Sequence, residues 1–421
     1  MTSPQPYSIP LPMAKHVVAS YCTSFLKPEM LHIYRQVKAL RGVRTFVITK
    51  EIQNAESFPF RDIEIIPQSR MNLLRHGWLK FVKREPPIVY RGEYQVLASL
   101  LENRGADLMH IYFGHTGVHL LPFIEQWDKP CVVSFHGADV AIKDDIADYP
   151  LKLRRLFDLV SLVLARSQSL ANRLIQFGCP PEKLRINRTG IPLDDFPFVD
   201  RQPPPDGRWK VMQACRLIPK KGVATSLRAF AIFKKDNPRA EFFIAGKGPL
   251  QRELEMLAAG LGIVKDVHFV GFLPERKLME LYASSHIFLH PSETPPDENQ
   301  EGIPNSVLEA MATGLVVAAT RHGGIPEAIQ HGRTGWLVPE EDHSSLARTM
   351  QEITSSPGIL NEMGLRARQT VTQQFQQHTQ IRLLESFYEE AISVRAGAAE
   401  PATSKAISSR VPQFVEPVTA N

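Results

Sequence analysis

The chain has 421 residues, of which 43% are hydrophobic and 22% are charged, and this composition is typical of a soluble globular protein long enough to form two domains. No apolar run approaches the roughly 20 residues that a membrane-spanning helix requires. The formal net charge of +5 is modest, so by itself it does not distinguish between a nucleic acid, a membrane surface and an anionic substrate as the partner.

The start of the chain and its cysteines give further limits. Residues 1–15 contain several prolines and lack the apolar core of a secretory signal, so we expect the protein to stay in the cytoplasm. No zinc-finger spacing or other nucleic-acid signature occurs, which argues against a nucleic-acid partner. Four cysteines occur singly, without the spacing of a zinc site or a disulfide framework, and we expect them to be buried thiols: Cys22, Cys131, Cys179 and Cys215.

The first half of the chain alternates short apolar strands with helices, which predicts a parallel sheet. The predicted strands cover residues 16–19, 45–49, 108–112, 131–135 and 162–165, and predicted helices cover about 30–40 and 167–177. His136 comes directly after the strand 131–135. Because open α/β sheets bind ligands at the carboxyl ends of their strands, His136 is a candidate site residue.

Residues 70–84 form a basic amphipathic stretch between the second and third predicted strands. This pattern fits a helix lying on an anionic membrane surface, and it also fits a helix packed on its own domain with solvated lysines. In the first case the protein would be peripheral at the inner face of the plasma membrane. The basic members are Arg70, Arg75, His76, Lys80, Lys83 and Arg84.

Three consecutive prolines, followed by Asp206 and Gly207, predict a linker at residues 199–208. The linker separates a first domain, 1–198, from a second domain, 209–372. Within the second domain we predict strands at 210–214, 241–245, 267–271, 284–290 and 316–320, and helices at 223–235, 305–313, 343–354 and 359–370. A further helix covers about 373–394. The small and polar residues 396–421 are predicted to be a disordered tail.

The acidic, proline-rich loop after the strand 284–290 is the main candidate for chemistry. Glu301 closes the loop, Pro304 suits the first turn of the next helix, and Glu309 lies within that helix. Carboxylates bind sugar hydroxyls and a helix N-terminus binds phosphate, so the arrangement predicts binding of a sugar linked to a nucleoside diphosphate. The alternative is a solvent-facing loop and an amphipathic helix with an incidental surface glutamate.

The segment that follows makes the pattern specific. Glu301 and Glu309, with seven residues between them, are followed by AMATG, an apolar strand and GGIPE. This order resembles the donor-site signature of the retaining glycosyltransferases of family 4, and the segments FGHTG and EGIPNSVLEAMATG resemble the bacterial exopolysaccharide and colanic-acid-type members. The resemblance covers most of the chain. It implies the α/β fold called GT-B, in which two doubly wound Rossmann-like domains face each other across a cleft and a C-terminal helix packs back on the first domain.

The resemblance also implies roles for individual residues. Because Pro304 has no N–H group, the amides of Gly302 and Ile303 would serve the sugar, while the helix start at Asn305 and Ser306 would face the phosphates. No metal or other cofactor is expected, since two cations and the helix dipole would replace it. The predicted catalytic residues are His136 and Glu301. The remaining donor-binding residues are Arg216 and Lys221 for the pyrophosphate, Gly246 in the loop GKGPL, Phe272 and Leu273 for the base, and Glu309 for the ribose diol.

These roles predict a retaining transfer of a hexosyl unit from a nucleotide sugar, with a UDP-sugar favoured, to a saccharide or lipid-linked saccharide acceptor in polysaccharide biosynthesis. A GDP-mannose-dependent mannosyltransferase is an alternative within the same family. A sugar-nucleotide epimerase of similar architecture and a non-catalytic nucleotide-binding protein are alternatives of other classes.

Overall fold

A computed structural model describes residues 15–27, 30–56, 58–67, 77–78, 81–82, 92–137, 139–140, 148–296, 300–356 and 358–398. These residues form two parallel sheets, one of seven strands and one of six, with helices packed against them. Within the same ranges, no helix has the length and the apolar character that crossing a bilayer would require.

The first sheet has the strand order β5-β3-β1-β6-β7-β8-β9, and all of its strand pairs are parallel. Its central strands are continuous apolar runs because both faces of a parallel sheet are covered by helices. The strands are β1 (Val17–Tyr21), β3 (Arg44–Thr49), β5 (Ile63–Ile65), β6 (Leu108–Tyr112), β7 (Cys131–Phe135), β8 (Leu162–Ala165) and β9 (Leu184–Ile186), while β2 (Ser24–Phe25) pairs separately with β4 (Glu51–Ile52). Described helices of this half are Leu31–Ala39, Glu93–Asn103, Gly114–His119, Leu121–Ile124, Tyr149–Leu159 and Gln168–Gln176.

The second sheet has the order β12-β11-β10-β13-β14-β15 and is also parallel. Its strands are β10 (Lys210–Ala214), β11 (Glu241–Ala245), β12 (Val267–Gly271), β13 (Ile287–His290), β14 (Val316–Thr320) and β15 (Trp336–Val338). Its helices are Val223–Asp236, Gln251–Gly260, Glu275–Ser284, Asn305–Ala312, Ile325–Ala328, His343–Ser355 and Ile359–Gln374. The strand order runs outward in both directions from β10, so the sheet is doubly wound.

The last helix, Gln377–Ala398, returns to the first sheet. Its side chains Leu384 and Tyr388 are fully buried in one apolar cluster with residues of β1, β6, β7 and β8. The Tyr388 hydroxyl also lies 2.7 Å from Nδ1 of His110 in β6. The predicted helix began at residue 373, which belongs to the preceding helix, and the part of the predicted tail beyond residue 398 lies outside the described residues.

The chain passes between the domains twice, and the two crossings lie side by side. The amide of Ile191 donates to the Phe375 carbonyl at 2.7 Å, and the amide of Gln377 donates to the Ile191 carbonyl at 3.0 Å. The segment 199–208, which was predicted to be the linker, has no helix or strand. It is nevertheless anchored, because the buried guanidinium of Arg201 donates to backbone carbonyls of Ser285, Tyr282 and Thr313.

Two smaller predictions have different outcomes. Cys22, Cys131 and Cys179 are buried as expected, and burial raises the pKa of the Cys22 thiol to about 12, but Cys215 is only partly buried.

The predicted basic helix over residues 70–84 lies outside the described residues, apart from 77–78 and 81–82.

Candidate active site

The carboxyl ends of the two sheets meet at the predicted residues. A Cβ atom added to Gly137, directly after β7 and His136, would lie 2.9 Å from the carbonyl oxygen of Gln300 and 3.4 Å from the amide nitrogen of Gly302. One added to Gly302 would lie 3.6 Å from Cβ of Arg166 and 3.8 Å from the carbonyl oxygen of His136. The loop that carries Glu301 therefore packs against the first domain at the end of β7.

Glu301 forms a buried ion pair with Lys221. Lys221 Nζ contacts one carboxylate oxygen of Glu301, and Lys220 Nζ lies 3.7 Å from the other. Burial alone would raise the pKa of Glu301, but the two lysines outweigh it and hold the pKa well below its ordinary value. Glu301 is therefore a carboxylate at neutral pH and can accept hydrogen bonds from hydroxyl groups.

Two glycines allow close backbone packing next to this ion pair. Gly222 follows Lys221 with φ of +57°, and a Cβ atom there would lie 1.8 Å from the carbonyl oxygen of Pro291. Gly323 has φ of +51°, and its Cβ would lie 2.3 Å from the carbonyl oxygen of Glu301. Only glycine permits both approaches at these backbone angles, so the chain can hold the two charged side chains close together.

The helix Asn305–Ala312 starts at the end of this loop. Its N-cap residue is Pro304, and no side chain caps its first turn. The first amides of a helix have no intrahelical acceptor, so those of Asn305 and Ser306 stay available to an anion. Ile303 is buried in the apolar cluster beneath the helix and fixes its start.

Glu309, about one turn along the same helix, is held by the first domain. Arg35 of the helix Leu31–Ala39 donates to one carboxylate oxygen at 2.9 Å, and the Tyr282 hydroxyl donates to the other at 3.2 Å. Arg35 also pairs with Glu275 and lies over the ring of Phe196, 5.3 Å from its centroid. The predicted ribose carboxylate thus takes part in an ion pair between the domains.

Both ring nitrogens of His136 have partners in the first domain. Nδ1 lies 3.1 Å from Nε2 of His32, and Nε2 lies 3.1 Å from the Ser134 hydroxyl. Burial, with a further contribution from the nearby Arg166 guanidinium, lowers the pKa of His136 well below its ordinary value. The imidazole is therefore neutral at physiological pH.

The other predicted donor-binding residues lie on the second domain. Arg216 is exposed after β10, with no side-chain hydrogen bond to another described residue. Gly246 follows β11 with φ of +140°, and a Cβ there would lie 1.8 Å from the carbonyl oxygen of Cys215, so the loop GKGPL packs tightly on the Arg216 loop. Phe272 is 53% exposed after β12, whereas Leu273 packs into the apolar cluster.

The structure thus brings Lys221, Glu301 and Gly302 into one contact network with the backbone at His136. Arg216 and Phe272 lie on separate loops of the second domain. Sequence reasoning missed Lys220, whose only signal was its place beside Lys221, and Arg35, for which no sequence signal existed.

Glu327, the last residue of GGIPE, also joins the domains. Its carboxylate accepts hydrogen bonds from the amides of Gln168 and Ser169, each at 2.9 Å, at the start of the helix Gln168–Gln176. Arg188 adds an ion pair at 3.0 Å. A carboxylate at a helix N-terminus is stabilised by the helix dipole, so this contact helps to hold the two domains together.

Within the described residues, no group of three or more His, Cys, Asp or Glu side chains is arranged to hold a metal ion. The acidic residues Asp297 and Glu298 lie outside the described part of the chain.

Comparison with known proteins identifies the family. The family model described as Glycosyltransferase Family 4 matches residues 31–195, and the model described as Glycosyl transferases group 1 matches residues 196–370. The amylovoran biosynthesis glycosyltransferase AmsK of Erwinia amylovora is 33% identical over 290 residues, which cover 68% of this chain and 70% of AmsK. The chain belongs to glycosyltransferase family 4.

Two further similarities agree with this family assignment. WcaL of Salmonella typhimurium, a proposed colanic acid biosynthesis glycosyltransferase, is 32% identical over 284 residues, covering 67% of this chain and 70% of WcaL. The crystal structure of Anabaena Alr3699/HepE in complex with UDP-glucose superposes with a TM-score of 0.71 at 19% identity, covering 89% of this chain and all (100%) of that chain. The predicted GT-B fold and the predicted family are confirmed, and the family 4 chain is a retaining glycosyltransferase.

Proposed function

We propose that this family 4 enzyme transfers a hexosyl unit from a UDP-sugar to a free or lipid-linked saccharide in exopolysaccharide biosynthesis. The names of AmsK and WcaL support the exopolysaccharide assignment, and the UDP-glucose complex of the HepE fold supports the choice of donor. The observation that carries the proposal is the buried Lys221–Glu301 pair at the entrance of the helix Asn305–Ala312, opposite His136.

The donor diphosphate would lie between the cations and the helix start. Lys221, Arg216 and the first amides of the helix Asn305–Ala312 all present positive charge or N–H groups there. The charge on the departing diphosphate grows in the transition state of glycosyl transfer, so fixed donors at this position would lower the barrier. Arg216, exposed and without a carboxylate partner among the described residues, is free to turn onto a phosphate.

The nucleoside would bind at Glu309 and the loop that contains Phe272. A ribose diol needs the carboxylate oxygen that Arg35 now contacts at 2.9 Å. Donor binding at this position would therefore displace Arg35 from Glu309. The Tyr282 hydroxyl, which holds the other oxygen at 3.2 Å, can keep the carboxylate in place during the exchange.

The transferred sugar would face Glu301 and His136. Glu301 is ionised, so it would accept hydrogen bonds from sugar hydroxyls rather than donate a proton. His136 is neutral, so it would offer a hydrogen bond without adding a charge. For this, one of its partners, His32 or Ser134, must give way to the sugar.

The experiment is incubation of the full chain with UDP-glucose, UDP-galactose and GDP-mannose, with chromatography of nucleotide and sugar products. We expect slow release of UDP from a UDP-hexose, with water as the acceptor, and roughly 100-fold slower release by His136→Ala at unchanged UDP affinity. Release of GDP alone would indicate a mannosyltransferase. Formation of a new sugar nucleotide would indicate an epimerase, and binding without turnover would indicate a non-catalytic protein.

A further inference from the structure

His322 contacts the backbone of the proposed catalytic residue. It follows β14 and precedes the glycine pair of GGIPE, and its side chain is fully buried. Its Nε2 atom lies 3.1 Å from the amide nitrogen of Glu301, and its Nδ1 atom lies 2.9 Å from a carboxylate oxygen of Glu340. The second oxygen of Glu340 accepts the amide of Thr294 at 2.7 Å, so Glu340 is itself fixed to the loop after β13.

The two contacts leave one arrangement of protons on the imidazole. A backbone amide can only donate, so Nε2 must carry the lone pair that accepts the Glu301 N–H. The ring proton then sits on Nδ1 and is donated to Glu340, which sets the tautomer through the bond on the other nitrogen. The Thr294 hydroxyl also lies near Nδ1, but at 3.4 Å it is farther away than Glu340. Without Glu340, the ring could therefore move its proton to Nε2 and would lose the bond to Glu301.

Gly324, two residues after His322, binds the carbonyl groups of the same loop. The amide of Gly324 donates to the carbonyl oxygens of Glu301 and Gly302, each at 3.2 Å. His322 and Gly324 together therefore bind both the N–H and the C=O of Glu301. These bonds fix its backbone, because the loop itself has no helix or strand at residues 291–296 and 300–304.

We propose that His322 and Glu340 are positioning residues for glycosyl transfer, acting by fixing the backbone of Glu301 and the amides of Gly302 and Ile303 that would face the donor sugar. The inference rests on the proposed role of Glu301 in the transfer. Misplacement of a catalytic group by about 1 Å can cost ~100-fold in rate, so a lost backbone bond at this point reduces turnover rather than nucleotide affinity.

The test uses two substitutions of His322 and a matched control in the full chain. His322→Leu removes the acceptor, whereas His322→Gln offers a carbonyl oxygen to the Glu301 amide and an NH₂ group to Glu340. His286→Leu is the control, because Nδ1 of His286 also accepts a backbone amide, that of Lys210 at 3.0 Å, but at the amino end of β10. For each variant, kcat and KM are measured for hydrolysis of the UDP-hexose that the wild type uses, with UDP affinity by titration calorimetry and Tm.

We expect His322→Leu to lose about tenfold to 100-fold in kcat with UDP affinity unchanged, and His322→Gln to recover most of the loss. His286→Leu should lower Tm but leave kcat intact. Normal kcat in His322→Leu, or a glutamine variant no better than leucine, would overturn the inference while wild-type hydrolysis still upholds the proposed function. A wild type that neither binds UDP nor hydrolyses any donor would instead remove the proposed function.

A second pair of variants covers the case in which His322→Leu fails to fold. The Glu340 side chain is 30% exposed, so Glu340→Ala disturbs the core little. It should reproduce the loss in kcat, because the neutral imidazole could then carry its ring proton on Nε2 in place of Nδ1. If the two residues act as one unit, the double variant His322→Gln/Glu340→Ala should be no slower than Glu340→Ala alone. Independent, additive losses would contradict the proposal.

Discussion

The ion pair between Arg35 and Glu309 predicts that removing an arginine will tighten nucleotide binding. Arg35 belongs to the first domain and holds the carboxylate oxygen that the ribose diol of the donor would need. If the ribose binds there as proposed, nucleotide binding to the wild type would break this contact. In Arg35→Ala there is nothing to displace, and the unpaired Glu309 carboxylate disfavours the closed, unliganded arrangement.

The size of the effect follows from the burial of the pair. The two side chains are 12% and 11% exposed, so the contact is poorly screened by solvent. A hydrogen bond to a charged group contributes about 1.5–3 kcal/mol, and the cost of desolvating both charges offsets part of this. About 1 kcal/mol then remains to be given up on binding, which corresponds to about a fivefold change in Kd. The second partner, Glu275, is 48% exposed and contributes less.

The assay is titration calorimetry with UDP on the wild type, Arg35→Ala and Glu275→Gln. We expect about fivefold tighter binding in Arg35→Ala and less than about a twofold change in Glu275→Gln, which leaves the contact with Glu309 in place. Unchanged affinity in Arg35→Ala would mean that UDP does not use the oxygen held by Arg35. Weaker binding would mean that Arg35 contacts the nucleotide itself.

Three further predictions test other parts of the site and the fold. Arg216→Ala should weaken UDP binding about tenfold to 100-fold in calorimetry, since a pyrophosphate contact is lost. Glu309→Gln should raise the donor KM, whereas Glu301→Gln should mainly lower kcat. Burial lowers the pKa of His110 to about 3, against about 6.5 in an unfolded chain. The unfolded state therefore binds the proton first, and stability falls as pH drops from about 6.5 towards 3. His110→Gln should flatten this loss in urea titrations by about 1.4 kcal/mol per pH unit.

Much of the fold could be predicted because its central strands are simple patterns. Residues 108–112, 131–135 and 316–320 are apolar runs that end at a polar or turn-forming residue, and the structure has strands with these limits. The edge strands Ile63–Ile65 and Leu184–Ile186 were missed, because three half-exposed residues give no periodic signal.

The candidate site divides along the domain boundary. Lys221 and Glu301 could be predicted because each lies in a local motif of the second domain, next to a strand end or helix start. His322 carried a usable signal as well, since it directly precedes a recognised glycine pair. Arg35 carried none. Its partner Glu309 is 274 positions away, and their contact exists only because the two domains pack against each other.

The two ion pairs of the candidate site differ in whether they join the domains, and this difference affects how the enzyme can hold a charged donor. In the closed arrangement, the groups proposed for the donor already have protein partners: Lys221 pairs with Glu301, and Glu309 pairs with Arg35. The first pair lies within one domain, so it survives when the cleft opens and keeps Glu301 ionised and in place. The second pair joins the domains, so it is lost on opening and leaves Glu309 free for a ribose. If Glu309 binds the ribose as proposed, nucleotide exchange would be coupled to domain opening through Glu309, whereas Glu301 would stay preorganised in both arrangements.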